Sequence, residues 1–323
     1  MLRWAALLVA LLAAPGPVLG QAKDQAHIGY LASSSAASDR ARTEAFRKGL
    51  EEIGYVEGKN LVVEWRYPDG GAERLRDLAA DLVQRKVQVI VVAGATATQA
   101  VKKQAAAIPV VMTNVTDPVG LGLVASLARP GGNITGLTNA SVELNAKRLE
   151  LLRELAPRLA LVGVLGDPGS PAYRPQAQEL ESAAKTVGIK LHFVEVRQAE
   201  DIDKAFAAIS AARAGALIVL QNPTLTRTRA RIAELAARAR LPAMYPQSEF
   251  VEASGLISYG PDIPDLHRQA AYFVGRILKG AKPSELPVEQ PKKFELAINL
   301  RSAKQIGLRI PPQVLFRADR TLD

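Results

Sequence analysis

The chain has 323 residues, 48% hydrophobic, 23% charged and 5% aromatic, with a formal net charge of +9. Cysteine is absent, and the three histidines, His27, His192 and His267, share no ligand spacing, which excludes disulfides, thiolate chemistry and an ordinary zinc site. The basic residues are scattered among acidic ones, with no basic–aromatic strip, so nucleic acid is not an expected partner.

Arg3 precedes an unbroken apolar run from Ala5 to Ala14, then Pro15-Gly16-Pro17 and Val18-Leu19-Gly20. Basic, apolar and small regions in that order predict a secretory signal over residues 1–20, too short in its apolar part to span a bilayer. No cysteine follows that would accept a lipid. The mature chain is expected free in a bacterial periplasm. It keeps roughly 300 residues, enough for two domains with separate cores.

Strand-like runs follow at His27 to Leu31, Leu61 to Arg66, Val87 to Ala93 and Pro109 to Asn114. Between them Ala45, Phe46, Gly49, Leu50 and Ile53 share one helical face with Gly54 as the stop. Leu75, Leu78, Ala79, Leu82 and Val83 mark a second helix, and Ala97, Ala100 and Val101 a third. The third and fourth strands are apolar on both sides and separated by a helix, which predicts a parallel sheet covered on both faces. The pattern recurs at Leu161 to Gly166, Lys190 to Val196, Ala216 to Leu220 and Pro242 to Pro246. Gly54 pairs with Gly188, and Pro109 with Pro242, at nearly equal offsets, so two α/β halves of common design are expected. The tail breaks the repeat with a helix over Ile263 to Lys279, three prolines (Pro283, Pro287, Pro291), a strand over Phe294 to Leu300 and a short helix over Ser302 to Gly307. That order suggests returning crossovers. Residues 27–138 with 261–290 are expected in one lobe, and 139–260 with 291–323 in the other.

Open parallel sheets bind ligands beyond the carboxyl ends of their strands. The rule selects Ser33-Ser34-Ser35, Gly94-Ala95-Thr96 and Asn114 to Asp117 in the first half. In the second half it selects Asp167 to Tyr173, Gln221 to Thr224 and Tyr245 to Glu249. Their hydroxyls and amides suit a small polar solute, and the same groups also serve as helix N-caps. Asp117 has two readings: an ion pair with a solute amine, or the cap of the turn before Pro118. Tyr173, Tyr245 and Tyr259 are the candidates to stack on an aromatic solute, or else core residues. Arg227, Arg229 and Arg231 either face an anion or form a solvated helix surface beside Glu234.

Gly120 to Ala125 fits the loose pattern G-x-G-x-x-A, but Asp117-Pro118 intervenes after the strand and no convincing second strand carries an acidic partner. No G-x-S-x-G elbow, P-loop or H-E-x-x-H occurs. Neither a catalytic constellation nor a cofactor site can be assembled, so an enzyme is not expected.

Four segments carry a resemblance. They are TDPVGLGLVASLARPGGNITGLTN (Thr116 to Asn139), GATATQA (Gly94 to Ala100), ISYGPDIPDLHRQAA (Ile257 to Ala271) and LPVEQPKKFELAINLRSAKQIGL (Leu286 to Leu308). On these the chain resembles the substrate-binding components of ABC transporters, in a subfamily that includes aromatic-amino-acid binders. The resemblance implies the type I periplasmic-binding fold, two doubly wound parallel-sheet lobes joined by crossover hinge strands. It implies capture of a small solute, an amino acid and in some members an aromatic one, by a monomer that delivers it to a membrane permease with a cytoplasmic ATPase. A periplasmic sensor that reports to a membrane kinase, or a doubly wound enzyme, is the alternative. By position the family's contacts fall on Ser34, Ser35, Thr96, Ala97, Asn114, Thr116 and Asp117 in the first lobe. In the second they fall on Tyr173, Asn222, Thr224, Tyr245 and Ser248, where the segments DPGSPAY and QNPTLTRT depart from the family pattern.

Overall fold

The computed structural model describes residues 25–69, 71–105 and 107–323; the expected signal lies outside them. The first lobe opens with β1 (Ala26–Leu31), α1 (Ala36–Glu52), β2 (Leu61–Arg66), α2 (Leu75–Gln84) and β3 (Val89–Ala93). It continues through α3 (Ala95–Gln104), β4 (Val110–Val115) and β5 (Ile134–Thr138). Its sheet has the order β2-β1-β3-β4-β5 and is parallel throughout. Every residue of β3 and β4 is buried, as their apolar runs require of strands with helices on both faces.

The second lobe contains α4 (Asn145–Leu155), β6 (Leu161–Gly166), α5 (Tyr173–Val187), β7 (Lys190–Glu195), α6 (Asp201–Ala211) and β8 (Ala216–Val219). Then come α7 (Pro223–Arg227), α8 (Arg229–Arg238), β9 (Ala243–Tyr245), α9 (Ser248–Glu252) and β10 (Ile257–Pro261). After α10 (Ile263–Leu278), the tail is β11 (Phe294–Asn299), α11 (Leu300–Gln305), α12 (Pro312–Phe316) and β12 (Arg320–Leu322). The strand order is β12-β11-β10-β9-β8-β6-β7, parallel except for the antiparallel pair β10–β11.

The chain passes between the sheets three times: from β5 to α4, from β10 to α10, and from the proline-rich stretch to β11. Helix α10 follows a strand of the second sheet yet packs in the core of the first, where Ile263, Leu266, Phe273 and Val274 meet Phe46 and Leu50 of α1. The α1–α10 crossing is close enough that a Cβ on Gly49 would lie 2.2 Å from the carbonyl oxygen of Arg268. On the return the main chain of Glu289 bonds along β5, accepting from Thr138 N–H at 3.0 Å and donating to Gly136 O at 2.9 Å.

The structure adds elements that periodicity did not mark. Strand β5 (ITGLT) is five residues with a glycine inside, too short for an alternation to register. Strand β12 is a three-residue edge with little burial. The G-x-G-x-x-A stretch is a succession of turns: Leu121 N–H bonds to Asp117 O, Gly122 N–H to Val119 O and Leu123 N–H to Pro118 O. No helix starts there, so the amide cradle a dinucleotide requires is missing.

Candidate functional site

The carboxyl ends of both sheets face each other across a cleft. In its inner part Ser33 and Ser34 after β1, Gly94 to Thr96 after β3, and Asn114 and Thr116 at the end of β4 oppose Ser170, Ala172, Gln221, Pro223 and Thr226 of the second lobe. About 30 Å³ is free there. The outer part, about 530 Å³, shares Ser33, Thr96, Ser170 and Pro223 and adds charged groups, Glu73, Asp167, Arg197, Glu200 and Arg227. Among the described residues no aromatic side chain lines either part.

Besides that of α5, whose N-cap Ala172 lines the inner part and supplies no side-chain cap, three helix N-termini border the cleft, and they differ. Ser35 caps α1 by accepting from Ser38 N–H at 3.4 Å. Asn222 caps α7, accepting from Thr224 N–H at 2.7 Å and Leu225 N–H at 3.2 Å. Helix α3 starts on Gly94 and has no side-chain cap. Its first intrahelical bond runs from Thr98 N–H to Gly94 O, so the amides of Ala95, Thr96 and Ala97 have no helical acceptor. Three free N–H groups at the positive end of a helix form an anion site. Gly94 has φ of 83°, a left-handed conformation that glycine adopts without strain.

Arg42 on α1 lines the inner cavity and bridges the lobes. Its Nη2 lies 2.8 Å from Glu249 Oε2 and its Nε 3.2 Å from Oε1, a bidentate pair. Nη1 lies 3.4 Å from Asp39 Oδ1, and Nη2 also donates to Gln247 Oε1 at 3.4 Å. Burial disfavours the guanidinium charge, but Glu249 and Asp39 outweigh it and hold the group above its ordinary pKa. Asp39 is fully buried and accepts from Tyr30 Oη at 3.0 Å and Ser34 Oγ at 3.3 Å. Burial first, then Asp39, raises the Tyr30 phenol far above its usual range.

Two buried networks brace the crossovers. Asn139, after β5, donates to Asn114 Oδ1 at 2.9 Å and accepts from Thr116 Oγ1 at 3.1 Å and Ser141 N–H at 3.0 Å. Arg148 on α4 is fully buried, and among the described residues it bonds only neutral oxygens: Tyr259 O at 2.8 Å, Ser141 O at 3.2 Å, Asn145 Oδ1 at 2.9 Å and Pro246 O at 3.3 Å. Burial lowers its pKa to about 9, which keeps it cationic at neutral pH. It ties together the first crossover, the middle of β10 and the loop after β9.

Of the residues selected from sequence, Ser34, Thr96, Asn114 and Thr116 line the inner cavity and Asn222 and Thr224 the outer. The others are placed elsewhere. Ser35 is committed to its cap, and the side chain of Ala97 is in the first lobe's core, leaving only its amide. Asp117 accepts from Gly120 N–H at 2.9 Å with its own φ at 46°, which is the turn-capping alternative, and it does not line the cleft. Tyr173 packs edge-on against Phe193, Tyr245 stacks on Phe250 with ring centroids 4.9 Å apart, and Tyr259 packs on Phe294. Tyr245 is fully buried, which pushes its phenol above the usual range. Ser248 opens α9 outside the lining. Of the arginine run, Arg227 reaches the outer cleft; Arg229 bonds Thr226 O, and Arg231 pairs with Glu234 and Asp203. Gln221, in a loop the sheet-end rule selected, lines the inner cavity, and so does Arg42, which was not selected. Arg42 reads in sequence as one more polar residue on an amphipathic helix, and only its partner 207 positions away reveals it.

Over residues 30–322 the chain matches the family described as ABC transporter substrate binding protein. It is 26% identical over 275 residues to a tyrosine-binding protein of Clostridioides difficile (strain R20291), covering 84% of this chain and 77% of that one. Among solved structures, a conserved domain protein from Vibrio cholerae superposes with a TM-score of 0.88 at 30% identity, covering 92% of this chain and 99% of that one. An ABC domain from Streptococcus pneumonia in complex with L-Trp superposes at 0.85 with 25% identity, covering 92% and 100%.

Proposed function

The chain belongs to the ABC transporter substrate-binding protein family, and we propose that it captures an amino acid in the cleft and delivers it to a membrane permease driven by a cytoplasmic ATPase. The observation that carries the reading is the uncapped N-terminus of α3, opposed across the inner cleft by polar groups of the second lobe. Its three amides suit an α-carboxylate. The two relatives named for tyrosine and L-Trp support an amino acid as the class. With no ring among the described residues of the lining, recognition here rests on the polar groups of the solute rather than on stacking.

We assign residues 27–138 with 261–290 to one lobe and 139–260 with 291–323 to the other. The three crossovers act as hinge strands. Solute docks on the first lobe and closure brings the second against it. The inner free space, near 30 Å³, holds a water rather than an amino acid, so the loops separate to admit solute. Ser34, Thr96, Asn114, Thr116, Asn222 and Thr224 make the contacts, with the amides of Ala95 and Ala97. The chain acts as a monomer in the periplasm after removal of residues 1–20.

The test is thermal unfolding of the purified mature chain against the twenty standard L-amino acids. A solute that binds only the folded form raises the apparent melting temperature, by an amount that grows with its concentration over Kd. At least one amino acid is expected to do so. No shift with any of them at millimolar concentration refutes the class.

A further inference from the structure

Gln221 follows the last strand residues of β8 and lines the inner cavity. Its main chain is held from both sides by one side chain. Gln221 N–H donates to Gln176 Oε1 at 2.9 Å, and Gln176 Nε2 donates to Gln221 O at 3.0 Å and to Ala172 O at 3.0 Å. Gln176, on α5, is fully buried, and Asn145 Nδ2 bonds its main-chain oxygen at 3.2 Å. A carboxamide that pairs with both main-chain groups of one residue imitates a strand partner. It fixes the direction in which the Gln221 side chain leaves the backbone.

That side chain is 9% exposed, yet among the described residues nothing bonds its Oε1. Buried polar atoms without a partner are rare because the fold gains nothing for their lost hydration. Of its polar neighbours, Thr226 Oγ1 donates to Asn222 O at 3.0 Å and Asn222 caps α7, while Ser170 brings a hydroxyl to the same lining. Among the described residues no carboxylate lines the inner cavity either. Asp117 serves its turn, while Asp39 and Glu249 hold Arg42. One small space therefore has amide donors from the first lobe and, from the second, a buried carboxamide oxygen that has no partner among the described residues. That is the complement of a zwitterion.

We propose that Gln221 is the second lobe's recognition residue. Its Oε1 accepts a hydrogen bond from the ammonium of an amino acid whose carboxylate rests on the α3 amides, and Gln176 is its positioning residue. The assignment rests on the capture reading above and says which group reads the amine.

The experiment is isothermal titration of the mature chain with the twenty L-amino acids and their 2-deamino analogues. It is repeated on Gln221→Met, Gln221→Glu and Gln176→Met. The wild type is expected to bind its best amino acid roughly ten- to a hundredfold more tightly than the deamino analogue. Gln221→Met lowers amino-acid affinity by a similar factor and leaves the analogue's unchanged. Gln221→Glu, still an acceptor, binds at least as well as the wild type. Gln176→Met weakens the amino acid more than the analogue. Because the Gln221 carboxamide bonds nothing among the described residues, Gln221→Met should melt with the wild type. Undiminished amino-acid binding by Gln221→Met overturns the proposal alone. So does equal wild-type affinity for acid and analogue, or a loss in Gln221→Glu as large as in Gln221→Met. Absence of wild-type binding to every amino acid overturns the capture reading and the proposal together.

Discussion

Replacing Glu249 with glutamine separates closure of the cleft from stability of the lobes. Glu249 and Arg42 sit on different lobes, 14% and 8% exposed, with Nη2 and Oε2 2.8 Å apart, so solvent screens the pair little. A charge-assisted hydrogen bond in such a place is worth about 1.5–3 kcal/mol, and a glutamine retains part of it as a neutral bond. The net loss to the closed form is about 1–2 kcal/mol, a five- to thirtyfold shift towards opening. The unfolding of the first lobe is barely affected, since Arg42 still faces Asp39 at 3.4 Å. Arg42→Met is the contrast. It leaves the fully buried Asp39 with only the Tyr30 and Ser34 hydroxyls, and an uncompensated buried charge costs about 3–5 kcal/mol. Small-angle scattering without added solute should show a larger radius of gyration for Glu249→Gln. Titration should show weaker binding by the same five- to thirtyfold whichever amino acid is used, with melting nearly unchanged; Arg42→Met should melt much lower. Equal melting losses in the two variants, or unaltered scattering and affinity in Glu249→Gln, would refute the idea that this pair is a latch between lobes.

Asp117→Ala removes the bond to Gly120 N–H and leaves alanine at a φ of 46°, so denaturant unfolding should register a loss of about 1–2 kcal/mol while titration finds solute affinity intact; a drop in affinity without a drop in stability would return Asp117 to the cleft. His267 is fully buried, its Nδ1 2.9 Å from Ile263 O, and burial pulls its pKa below the ordinary 6.5 against the smaller opposing pull of Asp39; Arg42 and Glu249 also face it. As pH falls below about 6.5 the unfolded chain takes up a proton that the folded chain refuses, so stability decreases by up to about 1.4 kcal/mol per pH unit. His267→Gln should flatten that part of the pH–stability curve relative to the wild type, and parallel curves for the two proteins would contradict the assignment.

Residues that act through their neighbours in sequence were legible, and residues that act through distant ones were not. The runs at β3 and β4 are apolar at every position because both faces of a central parallel strand are covered, so order and type of the early elements followed from the chain alone. From strand type the sheet-end rule led to loops that meet at the cleft, where Ser34, Thr96, Asn114, Thr116, Asn222 and Thr224 are among the lining residues. Within a loop, sequence offers nothing to tell a side chain that faces solute from one that faces its own backbone. Ser35 and Asp117 have the chemistry of contacts and spend it on a cap and a turn. The tyrosines show the same limit in the apolar term: Tyr245, beside Pro246 in a candidate loop, gains more from stacking on Phe250 in the core than from facing a wet cleft. Arg42, Asp39 and Glu249 mark the other failure. On an amphipathic helix an arginine and an aspartate three positions apart read as an exposed pair. Burial turns them into a bridge only because the second lobe brings a carboxylate to the same point, and that meeting has no local signature. The same holds for Gln221, whose free carboxamide becomes informative only once Gln176 is seen to satisfy its backbone. Where a cleft is built from two lobes, groups that meet across it are thus the ones sequence periodicity conceals, and structure is required to find them.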